Sequence, residues 1–343
     1  MPGVHWTNRN IEGQTWDLGW CETNRHLLTT VRKYGVTLNP RSEVAFHVAS
    51  PRNFRPIRGK KNVLFSMWES ADFPEEHRPY LWNADHLIVP TQFCYDIFRK
   101  HVGCDIEIIP LGVEHENFPY KKRTWAAGDS FQWLIVGSPS ARKGYDVIEA
   151  VWNKKFYGRK DCHLYCKLTT ADYEPAVGRA LLDGYTQHSP GVVWKDNIVL
   201  DFRKLHVKDL AETYHRSHGF VFPTAAEGFG LTLIEAMSTG LPCIVTKYSG
   251  VLDFTSSETV KYVSWQPYNN RYATIDGLET VLNSALASIP DTIEAMESIM
   301  RDYRRALQMG KRASRSIQHL TWESTGRQVA NSLTNYMKRS GVM

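Results

Sequence analysis

The sequence predicts an α/β protein in two domains, each built on a parallel sheet covered by helices on both faces. Three observations carry that expectation. From Phe131 onward, short apolar runs alternate with helical patterns, the signature of strands joined by crossover helices. The run Gly219 to Thr246 reads in one pass as strand, glycine turn, helix, turn and strand. The chain has 343 residues, enough for two separate cores.

In the N-terminal part, Gly13 and Gly19 fall in a polar loop, and Glu22 to Tyr34 follow a helical pattern that stops before Gly35. Val44–Ala49, Asn62–Ser66 and Asp85–Val89 read as strands, followed by a helix-like Thr91–His101 and a strand at Ile106–Ile109. The polar and charged run Tyr120 to Asp129 reads as a linker. A strand at Phe131–Val136 opens the second domain. After it come the loop Gly137 to Gly144, a helix from Tyr145, and segments at His163–Lys167, Ile198–Phe202, Val207–His215 and Gly219–Pro223. Thr321 opens a last helix reaching about Lys338. The expected domains are 1–123, 124–320 and a terminal helix in 321–343.

Glu227 and Glu235 bracket the most informative stretch. Gly228 and Gly230 make a turn that lets a backbone approach a ligand closely, and the helix that follows offers free N–H groups to phosphate. Glu235 lies about 7 Å along that helix from Gly230, where one carboxylate can take both hydroxyls of a ribose. Alternatively, Leu233, Ile234 and Met237 form the buried stripe and Glu235 faces water.

The run Glu227-Gly-Phe-Gly-Leu-x-Leu-x-Glu235-Ala-Met-x-x-Gly-Leu-Pro closely resembles the E-x(7)-E signature of retaining GT-B glycosyltransferases. The resemblance implies a GT-B fold: two Rossmann-like domains whose parallel sheets face each other across a cleft. It implies that the last helix crosses back onto the N-terminal domain, and Ile109 to Glu114 matches the family's exit from the acceptor domain. It further implies transfer of a sugar from a nucleoside diphosphate sugar with retention, by a same-face route without metal or cofactor. Lys143 and Glu227 are the expected catalytic residues. The donor is expected against Gly137, Ser138, Arg142, Lys143, Lys167, Glu227, Gly228, Phe229, Gly230, Leu231, Thr232 and Glu235. Lys143-Gly144 matches the family's lysine-glycine pair, which neutralises the diphosphate. Ser138 stands where the family carries an arginine. Because adjacent side chains tend to diverge, Lys167, at a strand end, is expected to be the second cation rather than Arg142. A glutamate nucleophile, which needs two carboxylates ~5 Å apart, ranks below the same-face route.

On the acceptor side, Gly19, Trp68 and Glu69 are the candidates. Trp68 either stacks on a sugar or base or packs in the core. No Asp-x-Asp triplet, dinucleotide fingerprint or phosphate-loop motif occurs. Cys162 and Cys166 fall on one face of a buried strand, which favours core over metal. The formal charge is +5, concentrated in Arg52, Arg55, Arg58, Lys60 and Lys61 and again in Arg301, Arg304, Arg305, Lys311, Arg312 and Arg315. Such clusters are solvated faces, or they serve an anionic acceptor: a phospholipid surface, a polyprenyl phosphate or a nucleic acid. The expected acceptor is a glycan, glycolipid or polymer, with two alternatives: a modified base in DNA, or no acceptor at all in a protein that only binds nucleotide sugars. No stretch approaches the ~20 apolar residues of a membrane span and the N-terminus lacks a signal-peptide core. The expected location is the cytoplasm, including the inner membrane face.

Overall fold

A computed structural model describes residues 3–7, 18–126, 128–168, 186–189, 191–275 and 278–342 of the chain. The first sheet contains β1 (Gly3–Thr7), β2 (Thr37–Leu38), β3 (Val44–Val48), β4 (Lys61–Phe65), β5 (His86–Val89) and β6 (Asp105–Ile108). Its order is β2-β1-β3-β4-β5-β6 and every pairing is parallel. The second contains β7 (Phe131–Gly137), β8 (Cys162–Leu168), β9 (Thr186–Ser189), β10 (Val192–Lys195), β11 (Ile198–Asp201), β12 (Gly219–Phe222), β13 (Cys243–Thr246) and β14 (Lys261–Val263). Its order is β14-β13-β12-β7-β8-β11-β10-β9. A separate antiparallel hairpin joins β15 (Trp265–Ile275) to β16 (Leu278–Ala287).

The helices are α1 (Leu18–Lys33), α2 (Arg78–Leu81), α3 (Gln92–Phe98), α4 (Tyr145–Val151), α5 (Val207–Arg216), α6 (Leu231–Ser238), α7 (Ile289–Arg301), α8 (Tyr303–Ser316) and α9 (Trp322–Arg339). Caps fix several of their starts. Thr91, Ser288, Asp302 and Thr321 each accept a hydrogen bond from the N–H three residues on. The strands β3, β4, β5, β12 and β13 are almost wholly buried, as strands in a sheet covered on both faces must be. Cys162, Leu164 and Cys166 lie on one buried face of β8, in a core with Trp133, Trp152 and Met296.

The chain passes between the sheets twice, side by side. Val113 bridges to Thr321, and its N–H donates to Leu320 O at 3.1 Å. Beyond this crossing, α9 lies along α1. The segment read as a linker is anchored at Arg123, which is buried. Its guanidinium donates to the carbonyls of Lys121, Tyr214, Ser217 and Thr239 and to Thr239 Oγ1.

Four features depart from the sequence expectation. β1 is a strand inside the first sheet; with Val4 as its one fully buried side chain it carries no apolar run. Helix α1 starts at Leu18, which puts Gly19 in its first turn rather than in a loop; Gly13 lies outside the described residues. β10 runs antiparallel to both its neighbours, β11 and β9, in an otherwise parallel second sheet. Only Asp196 and Asn197 separate β10 from β11, too few residues for a crossover, and Asp196 takes the left-handed conformation that such a hairpin needs (φ 51°). The hairpin β15–β16 was not foreseen either, although Asp276-Gly277 between its strands is a hairpin signal.

Candidate functional site

In the second sheet the chain proceeds outward from β7 through β8 on one side and from β12 through β13 and β14 on the other. The pair β7–β12 is therefore the switch point of the sheet, where the loops leaving the two strands diverge and open a crevice. The two segments singled out by sequence leave these two strands. The loop Gly137 to Gly144 follows β7, and the bend Glu227 to Gly230 comes shortly after β12. They are tied together where Ala225 N–H donates to Arg142 O at 2.7 Å.

The bend is held from beneath by a segment that sequence reading did not single out. Glu227 N–H donates to Ser249 Oγ at 2.9 Å, and Gly250 N–H donates to Glu227 O at 3.0 Å. Ser249 adopts φ 66°, a strained value for a residue with a side chain. Its place one turn beyond the end of the neighbouring strand β13 was the available signal. Gly230, at φ 105°, turns the chain into α6 and offers no side chain to cap it. Among the described residues, the N–H groups of Leu231 and Thr232 have no acceptor, and the enclosed Thr232 hydroxyl has no partner. An uncapped helix start with unused donors is suited to an anion. Phe229 is buried against Phe254 and serves the core.

Two cations and two carboxylates converge beside this bend. Lys143 Nζ lies 2.7 Å and Arg142 Nη1 3.3 Å from Glu227 Oε1. Arg142 Nη2 lies 3.0 Å from Glu69 Oε2, on the loop after β4 in the other domain. The expected divergence of Arg142 and Lys143 is thus corrected: their long side chains leave adjacent positions of the 3-10 turn Ala141–Lys143 and reach one oxygen from two sides. Lys167 is not with them. Its ammonium donates to Leu168 O at 2.7 Å and to Asp201 O at 3.2 Å, and burial lowers its pKa. Ser138 lies on the same loop as Lys143, partly exposed.

Glu235 stands on α6 with its Oε2 accepting a hydrogen bond from Tyr214 OH at 2.7 Å. The residue is partly buried. Burial, reinforced by the neighbouring charges of Glu22 and Glu114, raises its pKa to about 7, against the opposing pull of the Tyr214 hydroxyl. The other sides of α6 bury Leu233, Ile234 and Met237.

The bend faces the N-terminal domain at close range. A Cβ added to Gly228 would stand 3.0 Å from Met67 Cβ and 3.2 Å from Trp68 O. Thr91 Oγ1 donates to Gly228 O at 2.8 Å, and Gln92 N–H donates to Asp253 Oδ2 at 2.7 Å. Asn283 on β16 adds a third tie, its carbonyl accepting from Ala71 N–H at 3.0 Å and from Ser70 Oγ at 3.2 Å. Trp68 is a core residue: buried, it donates to Asp72 O at 2.6 Å and packs edge-on against Phe73 and His77. Two open grooves among the described residues lie elsewhere. One is lined by His163, Trp194 and Arg203 and the other by His86, Glu107 and Arg339, and neither contains Lys143 or Glu227.

The basic stretch of the first domain is largely occupied. Lys60 Nζ donates to Pro40 O and Ser42 O at 2.6 Å, Lys61 pairs with Asp85 at 3.4 Å, and Arg55 donates to Phe54 O at 2.9 Å. No described helix is long and apolar enough to cross a membrane.

A family described as "Family 4 Glycosyltransferase in conflict systems" matches residues 96–329, more than half of the chain. The serotype-specific mannosyltransferase WbdA of Escherichia coli is 27% identical over 177 residues, which are 51% of this chain and 20% of that protein. The amylovoran biosynthesis glycosyltransferase AmsK of Erwinia amylovora is 28% identical over 218 residues, 58% of this chain and 50% of that one. The chain thus spans half or less of the length of these curated relatives. The crystal structure of HepE from Anabaena, in complex with UDP and glucose, superimposes with a TM-score of 0.67 at 9% identity, covering 98% of this chain and 100% of that one. At that identity the likeness concerns the fold, which is that of the GT-B glycosyltransferases. With the family matched across both the bend and the loop Gly137 to Gly144, the chain belongs to the family 4 glycosyltransferases of conflict systems.

Proposed function

We propose that the protein transfers a glycosyl group from a nucleoside diphosphate sugar to a hydroxyl of an acceptor, with retention and without a metal. The observation that carries this reading is the meeting of Lys143, Glu227 and the uncapped start of α6 at the switch point of the second sheet. Departure of the nucleoside diphosphate places negative charge on its phosphates. Fixed donors aimed at that charge lower the barrier, and Lys143 with the N–H groups of Leu231 and Thr232 supplies them. Glu235 takes the ribose hydroxyls. Glu227, fixed through both its N–H and its carbonyl, orients the sugar. HepE's complex with UDP and glucose supports a donor of this class. The donor enters when the contacts of Thr91 and Met67 with the bend part, and the cleft closes behind it. Calorimetric titration with a panel of nucleoside diphosphate sugars tests the reading. Saturable binding that Glu235→Gln abolishes is expected, and a wild-type protein that binds none of them defeats it.

A second reading of the acceptor, as DNA carrying a modified base, is favoured by α8. Arg304, Arg305, Lys311, Arg312 and Arg315 are all exposed on this helix, and among the described residues no carboxylate lies within 4.0 Å of any of them. Duplex DNA retarded in a gel in a salt-dependent way supports it. Co-sedimentation with anionic liposomes in place of DNA binding supports a glycolipid acceptor.

A further inference from the structure

We propose that Arg142 is the second cation of the diphosphate site, filling the role that Ser138 leaves vacant, and that Glu69 of the facing domain is its counterion until the donor arrives. The proposal rests on the donor reading given above. Two cations face two carboxylates here, through contacts of 2.7, 3.0 and 3.3 Å. The four charges cancel. A nucleoside diphosphate sugar brings two further negative charges on its phosphates, so in a half-enclosed crevice one carboxylate has to withdraw.

The two differ in their freedom to do so. The Glu227 side chain is 3% exposed, and its backbone is clamped by Ser249 and Gly250. The Glu69 side chain is 29% exposed and belongs to the other domain, so it leaves when the cleft opens. Glu69 therefore occupies the electrostatic place that the donor's diphosphate takes. It also keeps the Arg142 guanidinium, itself 17% exposed, aimed across the crevice rather than into solvent. Arginine suits the task, since its planar fork meets two oxygens at once and its charge survives partial burial.

Titration with UDP, GDP and ADP separates the outcomes. For the tightest of the three, Glu69→Gln strengthens binding on the order of tenfold by removing the competitor. Arg142→Met weakens it by at least as much, and the double variant binds like Arg142→Met alone. Glu69→Gln is isosteric at a partly exposed site, so the test does not hinge on how well the Arg142 variant folds. Unchanged or weaker binding by Glu69→Gln, while the wild-type protein binds normally, overturns the proposal and leaves the donor reading standing. No binding of any nucleoside diphosphate by either protein takes down both.

Discussion

Tyr214 donates its hydroxyl proton to Glu235 Oε2 at 2.7 Å, and the same hydroxyl lies 3.2 Å from Thr232 O at the start of α6. A fully buried phenol thereby fixes the rotamer of the carboxylate and joins it to the uncapped helix start. Glu235 is one and a half turns from the bend, so whatever orients it also sets the distance between the carboxylate and the helix start.

The raised pKa of Glu235 has a signed consequence for stability. Its ordinary value is 4.5 and its folded value is about 7, so the folded state holds the proton more tightly and the protein loses stability as pH rises between those values. Replacing it with glutamine is expected to raise stability by less than about 1 kcal/mol at pH 5 and by as much as about 3 kcal/mol at pH 8. Urea unfolding of both proteins at the two pH values checks this. Equal shifts at pH 5 and pH 8 would refute the assignment.

Ligand binding is expected to run the opposite way. Ribose hydroxyls need the carboxylate, so donor affinity weakens as pH falls through about 7. Tyr214→Phe removes the interaction that favours the charged form, and the inflection moves to higher pH. A calorimetric pH series in which Tyr214→Phe changes the maximal affinity but not the inflection would show that the phenol only packs.

Lys143→Met is expected to lower the transfer rate about a hundredfold, the size typical of losing one fixed donor to a leaving group. Its effect on stability is smaller, about 1 kcal/mol, because Arg142 stays within 3.3 Å of the buried Glu227. Single-turnover kinetics and denaturant titration read the two separately. A Lys143→Met enzyme with wild-type turnover would remove the lysine from the mechanism.

The support under the bend is testable without touching the bend. A Cβ at Gly250 would stand 2.5 Å from Gly228 O and 2.9 Å from Glu227 O, both backbone atoms that cannot yield cheaply. Gly250→Ala is therefore expected to cost about 2 kcal/mol and to impair donor binding at the same time. Stability lost with affinity intact would mean that the bend does not depend on this segment.

Arg123 predicts that the first interdomain passage behaves as part of the second domain. Burial lowers its pKa to about 10, yet its five contacts to backbone carbonyls and Thr239 keep it engaged. A lysine offers three protons from one nitrogen and leaves some of those carbonyls unpaired. Arg123→Lys should cost about 2 kcal/mol. An unchanged unfolding midpoint would mark the segment as a mere tether.

The parallel strands were legible in the sequence because strands buried on both faces must be continuous apolar runs, and the turns that end them must be glycine or proline. Gly219–Phe222 and Phe131–Gly137 show this directly. β1 escaped notice because five residues with one fully buried side chain carry no period. The hairpin β15–β16 was overlooked although its sequence signal was present.

The sequence by itself determined the class of fold and the local chemistry of the bend: two carboxylates at helical spacing from a glycine turn, with a lysine-glycine pair on a second loop. Those are properties of neighbours along the chain, and backbone sterics enforce them. Which cation accompanies Lys143, what fills the space over Gly228, and what holds Glu235 were decided only by tertiary structure. Arg142, Met67 and Tyr214 reach the site from separate elements. Only packing brings such side chains together, because the contact depends on how two sheets and their loops are stacked and not on spacing along the chain.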